Sequence, residues 1–333
     1  MGTLSDFLKN EVNNKQISIT PARDFFDYEE YEEDNSKHKT DYSKYIKIEG
    51  DKFFGYSVTN TVENIPAGFY KFTRSQQLGV GIVKTNISVD ELFELPFKES
   101  DAIIKDIQKF WKSKDKYKEY NYTHKRGILL YGKPGNGKTS IINLLTLELV
   151  NKYNGIVFSI NTPDDLFDFK DFVPNILRNI EPDRPIICTI EDIDSILANY
   201  GHSTKSSFLN LLDGTSQVTN IVYIATTNYP EQLEENITNR PSRFDRRYEI
   251  SLPDENVRRV YISKKVKEED LKNIDVDMWV KETEGFSISH LKELIISVVI
   301  FGNNFHESLE IMREFVDSKY LKTKQGQNRI GLK

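Results

Sequence analysis

Apolar residues along this chain fall into three successive patterns. Between about residues 45 and 83 they form short runs at 45–48, 53–62, 68–73 and 79–83, rich in aromatic and β-branched side chains, which predict strands. From about residue 96 to 252, continuous apolar runs such as Ile186-Ile187-Cys188-Thr189-Ile190 and Ile221-Val222-Tyr223-Ile224-Ala225 alternate with stretches on a helical period. That alternation predicts a parallel α/β sheet flanked by helices. From Pro253 onward, Val257, Val260 and Tyr261, then Leu291, Leu294, Ile295, Val298 and Val299, recur at three- and four-residue spacing, so this part reads as helical. The expected organisation is an N-terminal acidic segment with a small β-rich partner domain (1–95), an α/β core (96–252), and a C-terminal helical region with a basic tail (253–333). No internal repeat is visible.

One junction in the middle region carries chemistry. Arg126-Gly127-Ile128-Leu129-Leu130-Tyr131 reads as a buried strand and leads into Gly132-Lys133-Pro134-Gly135-Asn136-Gly137-Lys138-Thr139, followed by Ser140 and a helical apolar pattern. The segment fits G-x-x-x-x-G-K-[ST] in the strand–turn–helix context that makes this pattern a phosphate cradle. Glycines let successive backbone N–H groups turn toward one anion, and the helix N-terminus adds its positive end. Lys138 is placed to reach the terminal phosphates and the Thr139 hydroxyl to hold Mg²⁺, so a nucleoside triphosphate such as ATP is the implied ligand.

Composition narrows the partners. Across 333 residues, 51 Asp and Glu stand against 45 Lys and Arg, a net charge of −6. That balance argues against a mainly electrostatic grip on nucleic acid and leaves a local basic patch open. Cys188, the only cysteine, lies within an apolar run; it reads as a core residue and fits a reducing, cytoplasm-like compartment. The longest apolar run, 294–301, is far short of the ~20 residues a bilayer span requires, and the N-terminus has no signal-peptide pattern. A soluble protein without a membrane segment is expected. The stretch Asp24-Phe25-Phe26-Asp27-Tyr28-Glu29-Glu30-Tyr31-Glu32-Glu33-Asp34 reads as a solvated acidic face with an apolar edge, a partner-binding segment being the alternative. The five histidines show no metal-ligand spacing.

A phosphate cradle alone could belong to a kinase, a GTPase, a helicase or a motor ATPase. The strand at 186–190 ends in Glu191-Asp192-Ile193-Asp194, acids placed to hold Mg²⁺ and polarise water. The strand at 221–225 runs into Thr226-Thr227-Asn228, whose amide is placed to bond both a γ-phosphate and the lytic water. Next comes Asn239-Arg240-Pro241-Ser242-Arg243-Phe244-Asp245-Arg246-Arg247, where Arg240 and Arg243 read as arginine fingers acting on a neighbour's nucleotide.

This ordered set resembles the AAA family of ATPases over roughly residues 97–300, the four elements corresponding to its Walker A, Walker B, sensor-one and arginine-finger motifs. The resemblance implies a P-loop NTPase core with a helical lid, ATP and Mg²⁺ as cofactors, and a homo-oligomeric ring of six or seven subunits. Within the family, Lys112-Ser113-Lys114-Asp115-Lys116-Tyr117 leading into Lys125-Arg126-Gly127-Ile128-Leu129-Leu130-Tyr131-Gly132, the order Glu191-Asp192, and Ser206-Ser207-Phe208-Leu209-Asn210-Leu211-Leu212-Asp213-Gly214 resemble the mitochondrial chaperone of the Rieske iron–sulfur protein, and Gly285-Phe286-Ser287-Ile288-Ser289-His290-Leu291 resembles the family's lid signature.

The chain departs from the family pattern at two places. Most members carry Asp then Glu where this chain has Glu191 then Asp192, so by position Glu191 serves the metal and Asp192 the water. Where peptide-threading members carry an aromatic pore loop, Thr162-Pro163-Asp164-Asp165-Leu166 reads as a helix start, with Phe167 and Phe169 as core. The leading expectation is an ATP-hydrolysing ring ATPase that remodels or chaperones a protein client. The alternatives are a nucleic-acid motor or loader, and an ATP-switched scaffold with low turnover.

Overall fold

The apolar runs of the middle region form strands covered on both faces, and their side chains sort by parity. In β5 (Lys125–Tyr131), Ile128 and Leu130 join one hydrophobic cluster and Leu129 the opposite one. The same split separates Val157 from Phe158 in β6 (Ile156–Ser159), Ile187 from Cys188 in β7 (Ile186–Ile190), and Val222 from Tyr223 in β8 (Ile221–Thr227). Successive strand residues point to opposite faces, so an unbroken apolar run is stable only where both faces are covered. One face is covered by α1 (Lys98–Lys112) and α2 (Lys138–Tyr153) through Ile103, Ile107, Phe110, Ile141, Ile142 and Leu145. The other is covered by α3 (Pro163–Phe172), α4 (Ile193–Ala198) and α5 (His202–Asp213).

The computed structural model describes residues 44–48, 52–56, 62–85, 95–198, 202–213, 218–233 and 242–316. The acidic stretch 24–34, Arg240 and the tail beyond residue 320 lie outside the described residues. Among those described, the strand order is β1-β2-β4-β3-β6-β7-β8-β5-β9, with β1 at Lys44–Ile48, β2 at Lys52–Tyr56, β3 at Gly68–Ser75, β4 at Gly79–Thr85 and β9 at Arg246–Glu249. The strands from β6 to β9 run parallel, as expected of a P-loop core, and the N-terminal strands pair antiparallel with one another.

The two groups meet in one sheet. β3 pairs with β6 in parallel, Phe69 opposite Val157 and Tyr70 opposite Phe158, so the boundary expected near residue 95 does not coincide with a break in hydrogen bonding. Aromatic packing supports the junction: Phe72 stacks on Phe158 at 5.1 Å, and Phe169 and Phe172 of α3 meet both rings edge-on. A buried polar latch adds to it. Glu181 accepts from the Ile65 N–H at 3.1 Å, Arg184 donates to the Ile65 carbonyl at 2.7 Å, and the two side chains pair at 3.0 Å. Burial pushes the Glu181 carboxyl up, while the Ile65 N–H and Arg184 pull it down.

The helix start at Thr162-Pro163 is present: Thr162 and Asp165 form a reciprocal cap with Pro163 in the first turn. Phe169 is core as expected, whereas Phe167 is 44% exposed, because its position on α3 points away from the sheet. Cys188 is buried. The C-terminal helices α6 (Glu255–Lys265), α7 (Val276–Glu282), α8 (Ile288–Ile295) and α9 (Phe305–Val316) enclose a separate cluster around Tyr261, Trp279, Phe286 and Leu291. Leu95 and Phe97, just ahead of α1, also enter that cluster. No helix among the described residues is long and apolar enough to cross a membrane.

Candidate nucleotide site

The turn between β5 and α2 takes the conformation its glycines permit. Gly132 and Gly135 have φ of 145° and 78°, backbone that L side chains rarely adopt. Space is restricted as well: a Cβ on Gly132 would meet the Ile250 carbonyl at 2.3 Å, and one on Gly135 would meet the hydroxyls of Ser287 and Ser289. Asn136 is buried and straps the loop to Ile250 O through Nδ2 at 2.9 Å. The lid touches the loop directly, Ser289 N donating to Gly135 O at 3.2 Å.

Beside this turn lies a cavity of about 290 Å³ lined by Pro134, Gly135, Gly137, Lys138, Thr139, Ser140, Glu191, Asp192 and Asn228. Gly132, Lys133 and Asn136 of the expected cradle do not line it; Gly132 and Lys133 instead offer their carbonyls to Lys138. Lys138 is 7% exposed, and its Nζ donates to Gly132 O at 2.8 Å, Lys133 O at 3.0 Å and Asn228 Oδ1 at 2.6 Å. Burial pushes its pKa down from the ordinary lysine value, with Asp192 and Asp194 pulling it back up. Asn228 in turn donates from Nδ2 to Asp192 Oδ1 at 3.0 Å, and Thr139 Oγ1 donates to Glu191 Oε2 at 2.6 Å. Residues separated by some ninety positions in sequence thus form one hydrogen-bonded chain, Lys138–Asn228–Asp192, with Thr139–Glu191 beside it.

Mg²⁺ binds through few protein oxygens and completes its shell with phosphate and water. The adjoining Thr139 hydroxyl and Glu191 carboxylate fit that donor set. Among the described residues no group of three or more His, Cys, Asp or Glu could hold a metal ion independently of a nucleotide.

Several contributors had no assigned role in the sequence reading. Leu95, Tyr261 and Ile288 supply an apolar side of the cavity, and Lys265 and Lys292 line it from the lid. Tyr261 with Lys265, and Ile288 with Lys292, each lie four residues apart on a helix, a spacing that signals a shared face once the helix is known to border a site.

Arg243 makes a contact the sequence reading did not assign. It is 6% exposed, and its Nε donates to Asp213 of α5 at 2.7 Å, so its guanidinium is engaged within its own chain. The loop carrying it is tightly seated: Gly127 N donates to Asp245 Oδ1, and a Cβ on Gly127 would meet Arg243 O at 1.7 Å. Removing one partner of such a buried pair costs about 3–5 kcal/mol. Arg243→Ala is therefore expected to lower the urea midpoint of the isolated chain by a corresponding amount; an unchanged midpoint would count against a structural role.

The parallel P-loop sheet, its flanking helices and the helical lid define a core of AAA type. Residues 128–252 match the family described as "ATPase family associated with various cellular activities (AAA)". The chain is 25% identical over 270 residues to the ATP-dependent zinc metalloprotease FtsH 2 of Salinibacter ruber, covering 73% of this chain and 39% of that protein. It is 27% identical over 236 residues to the mitochondrial inner membrane i-AAA protease supercomplex subunit YME1 of Saccharomyces cerevisiae, covering 67% and 30%. It is 31% identical over 181 residues to the ATPase family gene 2 protein of Schizosaccharomyces pombe, covering 51% and 20%. The chain thus spans well under half the length of these relatives. The family match and the ATPase relatives support ATP hydrolysis by this core, with ATP and Mg²⁺ binding in general.

These relatives correct the expected likeness to the Rieske-protein chaperone: they relate the chain to the FtsH and YME1 group. The segments that carried the former likeness serve positions the core itself requires. Ser206–Gly214 overlaps α5, whose Phe208, Leu211 and Leu212 are core, and Lys112–Tyr117 leads from α1 toward β5.

Proposed function

We propose that this chain binds Mg–ATP in the cavity beside α2 and hydrolyses it as a subunit of a homo-oligomeric ring of six or seven copies, driving rearrangement of a protein client. The observation that carries the reading is the chain Lys138–Asn228–Asp192 beside Thr139–Glu191, which gathers a phosphate-binding cation, a γ-phosphate donor, a water-directed carboxylate and a metal-ligand pair around one cavity. Backbone groups of Gly135 and residues 137–140, which line the cavity, cradle the phosphates, and Lys138 leaves Asn228 to meet the terminal ones. Thr139 and Glu191 hold Mg²⁺, which when bound neutralises charge on the phosphate oxygens. Asp192 polarises the attacking water while Asn228 orients it. Leu95, Tyr261 and Ile288 face the base.

Arg240 is the finger offered to a neighbouring subunit, and Arg243 braces its own turn against α5 through Asp213. The region 1–95 is where client choice resides. The FtsH and YME1 relatives are named as proteases, and together with the acidic composition they support a protein client over nucleic acid. The single cysteine, buried in the core, supports work in a reducing compartment such as the cytoplasm.

Turnover per subunit should rise with protein concentration as the ring assembles, and Arg240→Ala should bind ATP yet hydrolyse it about 10³–10⁵-fold more slowly, the range of a fully engaged finger. A monomer with full turnover on dilution would remove the shared-site reading. Stimulation by single-stranded nucleic acid that fades steeply with salt would favour a motor or loader instead.

A further inference from the structure

The end of β8 holds the turn after β7 at three points. Thr226 Oγ1 accepts from the Asp192 N–H at 3.0 Å, Thr227 Oγ1 donates to Asp194 Oδ1 at 2.6 Å, and Asn228 Nδ2 donates to Asp192 Oδ1 at 3.0 Å. Thr226, Thr227 and Asp194 are buried, whereas Asp192 is exposed. The backbone held there is uncommon: Asp192 has a φ of 48°. L residues avoid this left-handed region because Cβ crowds the carbonyl, and Asp and Asn tolerate it best, since their short side chains bond locally. The Asp192 carbonyl is fixed as well, accepting from the N–H groups of Ser195 and Ile196 at the start of α4. With its N–H, its carbonyl and one carboxylate oxygen each engaged, Asp192 is confined to a single placement.

We infer that Thr226 is a positioning residue for the Asp192 carboxylate, and that the left-handed turn is why the shorter acid stands at this position. The inference rests on the reading of Asp192 as the group that polarises water. Thr226 also lines the cavity, and its hydroxyl acts on Asp192 through the Asp192 N–H. Without the hydroxyl, that N–H loses its partner and the turn is held at one point fewer, leaving the carboxylate less firmly placed. A glutamate at 192 would meet the left-handed backbone without the same local bonding, and its extra methylene would carry the carboxylate past the Asn228 amide.

The test compares ATP turnover, ATP affinity and hydrogen exchange in the full chain under ring-forming conditions. Thr226→Val keeps the shape and removes the hydroxyl; kcat should fall roughly 10- to 100-fold with KM and Kd within about twofold, the scale expected when a catalytic group is misplaced. Thr226→Ser should recover most of the rate. Exchange at the Asp192 amide should quicken in Thr226→Val and stay slow in Thr226→Ser. Asp192→Glu, at an exposed position, should also lose roughly tenfold or more in kcat while binding ATP. Should Thr226→Val not fold, Thr226→Ala removes the same hydroxyl with less apolar bulk. An Asp192→Asn variant with normal turnover would remove the water-polarising assignment itself. An inactive Asp192→Asn together with wild-type kcat in the hydroxyl-free variant or in Asp192→Glu would overturn the positioning inference alone.

Discussion

Lys138→Ala is expected to abolish useful ATP binding while leaving the chain folded. Lys138 is the first residue of α2, where a cation opposes the positive end of the helix dipole, and alanine is the best helix former, so the helix loses nothing by the change. The cavity, in contrast, loses the buried cation that now donates to Gly132 O, Lys133 O and Asn228 Oδ1. Truncating one partner of a buried charged pair costs about 2–5 kcal/mol, which is roughly two to three powers of ten in Kd near the middle of that range. A direct titration with Mg–ATP, read alongside the melting temperature, checks both halves. An affinity within about twofold of wild type would contradict the placement of the phosphates beside Lys138.

Asp192→Asn should give the opposite phenotype, a chain that binds ATP and retains it. Asparagine matches aspartate in shape and tolerates the left-handed φ of 48°, so the turn survives. Its amide oxygen can still accept from Asn228 Nδ2. What is lost is the negative charge that draws a proton from water, a contribution of about 10²–10⁴ in kcat. Glu191→Gln should differ in kind: Thr139 keeps an acceptor, but the anionic metal ligand is gone, so Mg²⁺-dependent affinity should weaken. Single-turnover hydrolysis, set against binding at varied Mg²⁺, separates the two. If Asp192→Asn hydrolyses normally and Glu191→Gln becomes the ATP trap, the two acids have exchanged roles.

The parts of the site legible in the sequence are those governed by local rules. The cradle could be recognised because positive-φ glycines, a lysine and a hydroxyl must occur at fixed spacing around one turn, and the strands after it because buried runs end where carboxylates and an amide begin. Continuity between β3 and β6 was not legible: pairing Phe69 with Val157 depends on packing among Phe72, Phe158, Phe169 and Phe172, and no local pattern encodes a contact across so long a separation. The contact between Arg243 and Asp213 was not legible for a related reason. Arg243 lies in a turn and Asp213 thirty residues away on α5, and only the folded chain brings the two together. Thr226 and Thr227 stood in plain view ahead of Asn228, yet a hydroxyl in a buried strand reads as filler until the turn it holds is seen. Phe167 and Phe169 share a helix and a residue type, and only the position of the sheet separates the exposed ring from the buried one.

The parallel junction between β3 and β6 has a mechanical consequence. A flexible linker between the parallel core and the N-terminal strands would absorb displacement as slack. Here the strands from β5 to β1 form one transverse ladder, and neighbouring strands share loads applied along their length through rows of hydrogen bonds acting together. Any shift at the C-terminal ends of β7 and β8, where Asp192 and Asn228 sit, would therefore pass to β1 through a continuous, twisted sheet. A small rotation near the cavity would then displace the far edge of the sheet most, as a lever arm does.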